Sequence, residues 1–293
     1  MNINDFIIPE SLDEARAALK KLGSAALPVA GATAMRFFAE QSSRTAVSIA
    51  RLGLDGIGRP DAGENGKAFR VGAATTLAAL MEHRADGWVL DRVARCVATQ
   101  QVRNISTIGG NIARVFPWAD LPVALLALDA EMAILGDAGE RTLAADEYFK
   151  SQPARLFKDG ELLASLTVPA VIAGNGAGAG FGYHKEVRTA AGFSMMTAAA
   201  RVTLEAGIIK NARVAAGAAV SFPRRLPDLE QALTGGPADG SGIEKAVAGA
   251  AAGVSWKGKE GMSDEYAAHL ARVILGDVLA LALEEAGGGG SHG

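Results

Sequence analysis

Cysteine is almost missing: Cys96 is the one cysteine in 293 residues. That excludes an intrachain disulfide, and it excludes an iron–sulfur cluster ligated by this chain alone. Aromatic residues make up only 5% of the chain. The 29 basic and 32 acidic residues nearly balance, with a net charge of −3, which argues against a nucleic-acid-binding stripe. No run of about 18 consecutive apolar residues appears, so no membrane span is expected. The opening Met1-Asn2-Ile3-Asn4-Asp5 lacks the basic and apolar regions of a secretory signal, and a cytoplasmic protein is the expectation. His83, His184, His269, His292 and Cys96 show no metal-ligand spacing. Outside the tail at 287–293 no Gly-x-Ser-x-Gly elbow is present, so hydrolase chemistry has no handle.

Glycine, by contrast, is abundant at 36 residues, with 49% hydrophobic and 21% charged residues, as in a soluble globular protein. At about 150 residues per domain the length suggests two domains. Ser11-Leu12-Asp13-Glu14 is a capping box that opens a helix ending at Gly23. Strands are expected at 27–30, 45–50, 68–73, 131–135 and 162–168. Helices are expected at 34–38, from Thr75 or Thr76 through Met81, and over 89–102, with a buried apolar run at 123–130. The glycine run at 174–182 lacks the G-x-G-x-x-G spacing and reads as a flexible connector. The domain boundary is placed there, giving domains 1–173 and 174–286 and a flexible tail at 287–293. Beyond it, 198–204 and 208–220 read as antiparallel strands. A last helix opens at Ser263 with Leu270, Val273, Ile274, Val278 and Leu281 as its buried face.

Two other small-residue segments carry more chemistry. Ala30-Gly31-Ala32-Thr33-Ala34 lies between an expected strand and a helix start, and Thr107-Ile108-Gly109-Gly110-Asn111 forms a turn before an apolar run. In each, backbone amides can point outward together, with Thr33, Thr107 and Asn111 adding side-chain hydrogen bonds. A diphosphate needs several N–H donors at close range, and such amides supply them without a lysine.

At these residues the sequence resembles the FAD-binding medium subunit of molybdenum hydroxylases, such as aerobic carbon monoxide dehydrogenase and the equivalent domain of xanthine dehydrogenase. The resemblance starts at Phe6-Ile7-Ile8-Pro9-Glu10-Ser11, and runs through the 30–34 loop and Phe69-Arg70-Val71-Gly72-Ala73. Its most specific piece is Gln101-Val102-Arg103-Asn104 with Thr107-Ile108-Gly109-Gly110-Asn111-Ile112 and Pro117-x-x-Asp120-Leu121-Pro122. Tyr183-His184-Lys185 and Gly217-Ala218 to Pro223-Arg224-Arg225 continue it.

The resemblance implies an α+β protein: a two-part FAD-binding domain of the vanillyl-alcohol-oxidase type, then a C-terminal α+β domain with an antiparallel sheet. Residues 30–34 and 107–111 would hold the FAD pyrophosphate. Asp120 matches a position that hydrogen-bonds toward the ribityl chain, Leu163 and Lys185 match positions lining the flavin region, and Phe193 matches an aromatic beside the isoalloxazine. A small [2Fe–2S] subunit and a large subunit with the molybdenum cofactor are the implied partners, in a dimer of heterotrimers. Electrons would pass from the clusters through FAD to NAD, a quinone or O2, and no residue here needs to act as a general acid or base. The rivals are a free-standing FAD oxidoreductase of the same fold and a structural subunit that has lost FAD.

Departures from the family pattern are local. Ala32 stands where the second glycine is usual and Ala34 where a polar residue is usual; an alanine avoids strain there only with negative φ. Gly192 replaces an acidic residue, Phe193 lacks a tyrosine's hydroxyl, and Tyr266-Ala267 stands for Tyr-Arg.

Overall fold

Ser11 opens the first helix as its neighbours require. Its hydroxyl accepts from the Glu14 amide at 3.1 Å, and the Glu14 carboxylate accepts from the Glu10 amide at 2.8 Å. The helix Leu12–Leu22 ends at Gly23, whose φ of 53° an L side chain adopts only under strain. The computed structural model describes residues 2–37, 43–59, 68–174, 177–259 and 261–288. They divide into two units: Met1–His83, Ala98–Val115 and Ala130–Val168 form the first, and Arg84–Val97, Phe116–Asp129 and Pro169–Gly293 the second.

The first unit has two sheets. A parallel three-stranded sheet has the order Asn2–Ile7, Ser43–Ser48, Ala26–Val29. The first helix belongs to the same core, through Ala15, Leu19, Ala26 and Val47. A five-stranded sheet has the order Ile57–Gly58, Ala68–Gly72, Leu162–Pro169, Glu131–Gly136, Gly139–Ala144, with Glu131–Gly136 antiparallel to both its neighbours. The strands at 2–7, 57–58 and 139–144 escape the sequence reading because little of them is buried and no apolar alternation marks them. Thr76, not Thr75, caps the helix Leu77–Glu82. The expected helix after residue 34 is a single 3-10 turn, Met35–Phe37; Phe38 lies outside the described residues.

One helix expected over 89–102 is two, Leu90–Arg95 and Gln100–Arg103. Between them Ala98 takes φ 48°, a left-handed conformation that no helix continues through, and there the chain passes from the second unit to the first.

The second unit is built on an antiparallel sheet, as expected, in the order Arg224–Arg225, Ile208–Gly217, Met196–Glu205, Ala177–Glu186. Here the glycine run is corrected: from Ala177 it is a sheet strand rather than a connector, with 175–176 outside the described residues. Gly178, Gly180 and Gly182 share one face, and a Cβ on them would fall 2.8, 2.0 and 1.9 Å from the carbonyl oxygens of Ala286, Ala282 and Val278. Two strand residues rise about 6.6 Å and four helix residues about 6 Å, so a glycine at every second strand position meets every fourth residue of the helix Asp264–Ala286. Missing side chains let the helix axis settle on the strand backbone.

That contact also corrects the expected buried face. Ala267, Ala271, Ile274, Leu275, Val278, Leu279, Ala282 and Ala286 are buried, whereas Val273 and Leu281 are each 47% exposed. Close approach to glycine puts Val278, Ala282 and Ala286 over the strand, not the largest apolar residues. By length and composition this helix could cross a membrane, but its inward residues form the unit's core. The opposite face of the sheet receives the buried helix Leu121–Ala127: Gly217 has no Cβ, and one would lie 2.5 Å from Val123 Cγ2. The helices Pro227–Leu233 and Gly240–Ala251 complete the unit.

Candidate functional site

In the first unit the strand Ala26–Val29 delivers the chain to Ala30-Gly31-Ala32-Thr33-Ala34. A Cβ on Gly31 would sit 1.7 Å from the Ile105 carbonyl oxygen, so only glycine lets this loop lie on the segment leading to Thr107. The Thr33 and Ser106 hydroxyls meet at 2.7 Å. Two segments 73 residues apart in sequence are thus held together by backbone contact and one side-chain hydrogen bond.

Their amides differ. Ile108 N donates to Thr75 O at 2.9 Å, Gly109 N to Ala73 O at 2.8 Å, Gly110 N to the Thr107 hydroxyl at 3.1 Å and Asn111 N to Thr107 O at 3.1 Å. A Cβ on Gly109 would lie 2.6 Å from Ala73 O, so this glycine serves the same inward packing. The expectation of outward amides fails in this loop, because its Thr-capped turn is tied down on residues 73–76. In the other loop the amides of residues 31–34 donate to no acceptor among the described residues. What 107–111 presents instead is the exposed Gly110; Thr107 is buried with its hydroxyl accepting from Gly110 N, and the half-buried Asn111 has a buried Oδ1 with no hydrogen-bond partner.

Ala32 takes φ 54°. The negative φ an unstrained alanine needs is not what the loop has, and the left-handed conformation costs about 1 kcal/mol. Strain of this kind persists where surrounding contacts dictate the backbone, here the Gly31–Ile105 approach on one side and the turn Met35 N to Ala32 O on the other. Leu163, also in this unit, is 5% exposed on the strand Leu162–Pro169, paired with Ile134.

In the second unit Asp120 starts the buried helix Leu121–Ala127 and is 4% exposed. Lys185 Nζ donates to its Oδ2 at 2.9 Å and to the Cys96 carbonyl at 2.8 Å, while the Ser194 hydroxyl donates to its Oδ1 at 2.6 Å. Burial pushes the Asp120 carboxyl above the usual carboxylate range, against the pull of the Lys185 charge and the Ser194 hydroxyl. The Tyr183 hydroxyl is raised well above its ordinary value by burial and then by the Asp120 charge; it feels that carboxylate without a hydrogen bond of normal geometry. Phe193 is 55% exposed, its ring 4.4 Å from Trp118, which stacks on Phe116 at 5.2 Å.

Asp120 and Lys185, picked out separately in the sequence, are therefore one ion pair. Ser194, Tyr183, Ser106 and Trp118 were missed. Period-two alternation along the strand puts Tyr183 on the face of Lys185, and Trp118 sits inside the Pro-x-x-Asp segment. Nothing local marks Ser106 or Ser194.

Two family models match the chain: the FAD binding domain in molybdopterin dehydrogenase over residues 1–171, and the CO dehydrogenase flavoprotein C-terminal domain over 181–282. The chain belongs to the FAD-binding family of the molybdopterin dehydrogenases. The carbon monoxide dehydrogenase medium chain of Afipia carboxidovorans is 28% identical to this family member over 276 residues, 92% of this chain and 93% of that one. The xanthine dehydrogenase FAD-binding subunit of Escherichia coli O157:H7 is 26% identical over 75% of this chain and 76% of its own. Among solved structures, a chain of the cyanide-inactivated Cu,Mo-CO dehydrogenase superposes with a TM-score of 0.85 at 27% identity, over 97% of this chain and 99% of that one.

The chain is thus a medium, FAD-binding subunit of the CO dehydrogenase and xanthine dehydrogenase type, an oxidoreductase component. Its residues fit that cofactor. The unengaged amides at 31–34 suit a diphosphate, and the orphaned Asn111 Oδ1 is an acceptor that a ribose or ribityl hydroxyl would satisfy.

Proposed function

We propose that this chain is the electron-transfer subunit of a molybdenum-containing hydroxylase complex. It takes electrons from the [2Fe–2S] clusters of a small subunit, fed by the molybdenum cofactor of a large subunit. It delivers them to an external acceptor, NAD, a quinone or O2, within a cytoplasmic dimer of heterotrimers. Bound FAD supplies the redox chemistry, and the protein supplies binding, orientation and electrostatics. The contact of the 30–34 loop with Ile105 and Ser106, the residues that lead into 107–111, is the observation that carries this reading.

In this proposal residues 1–173 form the FAD domain and 174–286 a flavoprotein module. The amides of residues 31–34 donate to the diphosphate, while Gly110 lets it approach and Thr107 and Asn111 add side-chain contacts. Ala30, Ile108 and Gly109 hold that backbone in place. Asp120 lies toward the ribityl chain, and Leu163, Lys185 and Phe193 belong to the flavin region.

The test is Gly110→Val. Gly110 is exposed and a Cβ there meets only the Thr107 hydroxyl, at 3.0 Å, so the chain keeps its fold. The expected result is loss of the flavin band near about 450 nm with unchanged circular dichroism. Full flavin occupancy in the variant overturns the loop assignment. Co-purification with a cluster-bearing small subunit and a large subunit supports the complex; a flavoprotein that turns over a substrate alone overturns it.

A further inference from the structure

We infer that Arg201 and Arg213 form a seat for an oxyanion, a carboxylate or a phosphate, on the sheet of the second unit. Arg201 lies on the strand Met196–Glu205 directly opposite Arg213 on Ile208–Gly217 and opposite Phe181 on Ala177–Glu186. Directly paired residues project from the same face with Cβ atoms about 5 Å apart, where like charges repel.

The Asp129 charge offsets part of this, but the hydrogen bonds of the neighbouring carboxylates go to other arginines. Arg213 Nε donates to Asp129 Oδ2 at 2.7 Å, and Arg225 reaches Asp129 Oδ1 at 3.3 Å and pairs with Glu230. Glu230 also accepts the Val214 amide at 2.9 Å. Arg213 and Arg225 therefore already occupy both carboxylates. The surplus positive charge resides on Arg201, which has no ion pair among the described residues and whose buried Nε has no hydrogen-bond partner. Burial weakens its hold on the proton, with Arg213 adding to that and Asp129 opposing it. A guanidinium still stays protonated in a protein. An uncompensated charge of this kind is unfavourable, and its planar fork matches a carboxylate or phosphate. The missing partner comes from outside: a free anion, or a carboxylate presented by a partner subunit.

Thermal unfolding of the full chain saturated with FAD tests the seat, since bound FAD keeps the diphosphate loops from answering for added anion. Wild type should gain about 3 °C in inorganic phosphate over chloride at matched ionic strength if the seat takes a free anion. Arg201→Gln should lose that gain and unfold in chloride no earlier than wild type. If a partner's carboxylate is the natural ligand, the phosphate gain is small, but Arg201→Gln lowers recovery of the assembled complex and phosphate competes with assembly. Equal melting in both salts together with wild-type assembly of Arg201→Gln overturns the inference. So does an Arg201→Gln chain clearly less stable than wild type in chloride, which would mean that Arg201 already has its partner.

Discussion

The candidate residues of the first unit are held by backbone, and those of the second by charge. Around Gly31 the chain is placed by a carbonyl contact that admits no side chain, and what it offers a ligand is unengaged main-chain N–H groups. Around Asp120 the groups that hold the site are side chains that have already found an acceptor: Lys185 and Ser194 close on the carboxylate. The first arrangement depends on conformation and is indifferent to pH. The second depends on protonation and tolerates small backbone shifts. The two should therefore fail in different ways.

The sharpest way to break the first is Gly31→Ala. A Cβ 1.7 Å from a backbone oxygen cannot be accommodated by a rotamer change, so the loop must leave residues 105–106. We expect a loss of about 4 kcal/mol or more in stability together with loss of FAD, read by denaturant unfolding and flavin content. Wild-type flavin content with an unchanged melt would show that the contact is not what places the loop. The matching blow to the second arrangement is Lys185→Met. Lys185 and Asp120 side chains are 7% and 5% exposed, so the variant strands a buried carboxylate, at about 3 kcal/mol. Retention of the contact of the 30–34 loop with residues 105–106 in that variant, seen as FAD binding that weakens without vanishing, would keep the two arrangements distinct.

How much of this was legible beforehand follows the same division. Features set by local chemistry were readable: the Ser11 cap, the Ser263 cap and the small residues of both loops. Features set by what lies across the fold were not. Glycines 178, 180 and 182 read as a linker because their purpose is written in the helix that rests on them, about a hundred residues later in sequence. The long helix misled for the reciprocal reason, since its alanines looked neutral until their glycine partners were known. The inward amides of Ile108 and Gly109 depend on the carbonyls of Thr75 and Ala73, and the Asp120–Lys185 pair joins residues 65 apart.

A smaller effect probes the charge-held cluster by pH. Because burial raises the Asp120 carboxyl, folding binds its proton more tightly than the unfolded chain does. Its stabilising contribution is then full below the unfolded carboxylate value and is lost as pH rises through the folded one. The melting temperature of wild type minus that of Asp120→Asn should accordingly fall as pH rises out of the acid range. A difference that grows with pH would mean that Lys185 and Ser194 outweigh desolvation.

The smallest expected effect is Ala32→Gly, and it tests the backbone-held loop without disrupting it. At φ 54° the alanine bears about 1 kcal/mol of strain that glycine does not. Glycine also loosens the unfolded chain, which takes back roughly 0.5 kcal/mol. The net gain in stability of the chain is about 0.5 kcal/mol, near the limit of a denaturant melt. FAD binding separates the two contributions, because the unfolded state drops out of a titration performed on folded protein. If the strain is already present before the cofactor arrives, the variant binds FAD no more tightly than wild type and only the melt moves. If binding tightens the loop further into the left-handed region, affinity rises about twofold with the relief of that extra strain. A variant that is both less stable and weaker in FAD binding would show that the Ala32 methyl makes a contact worth more than the strain it brings.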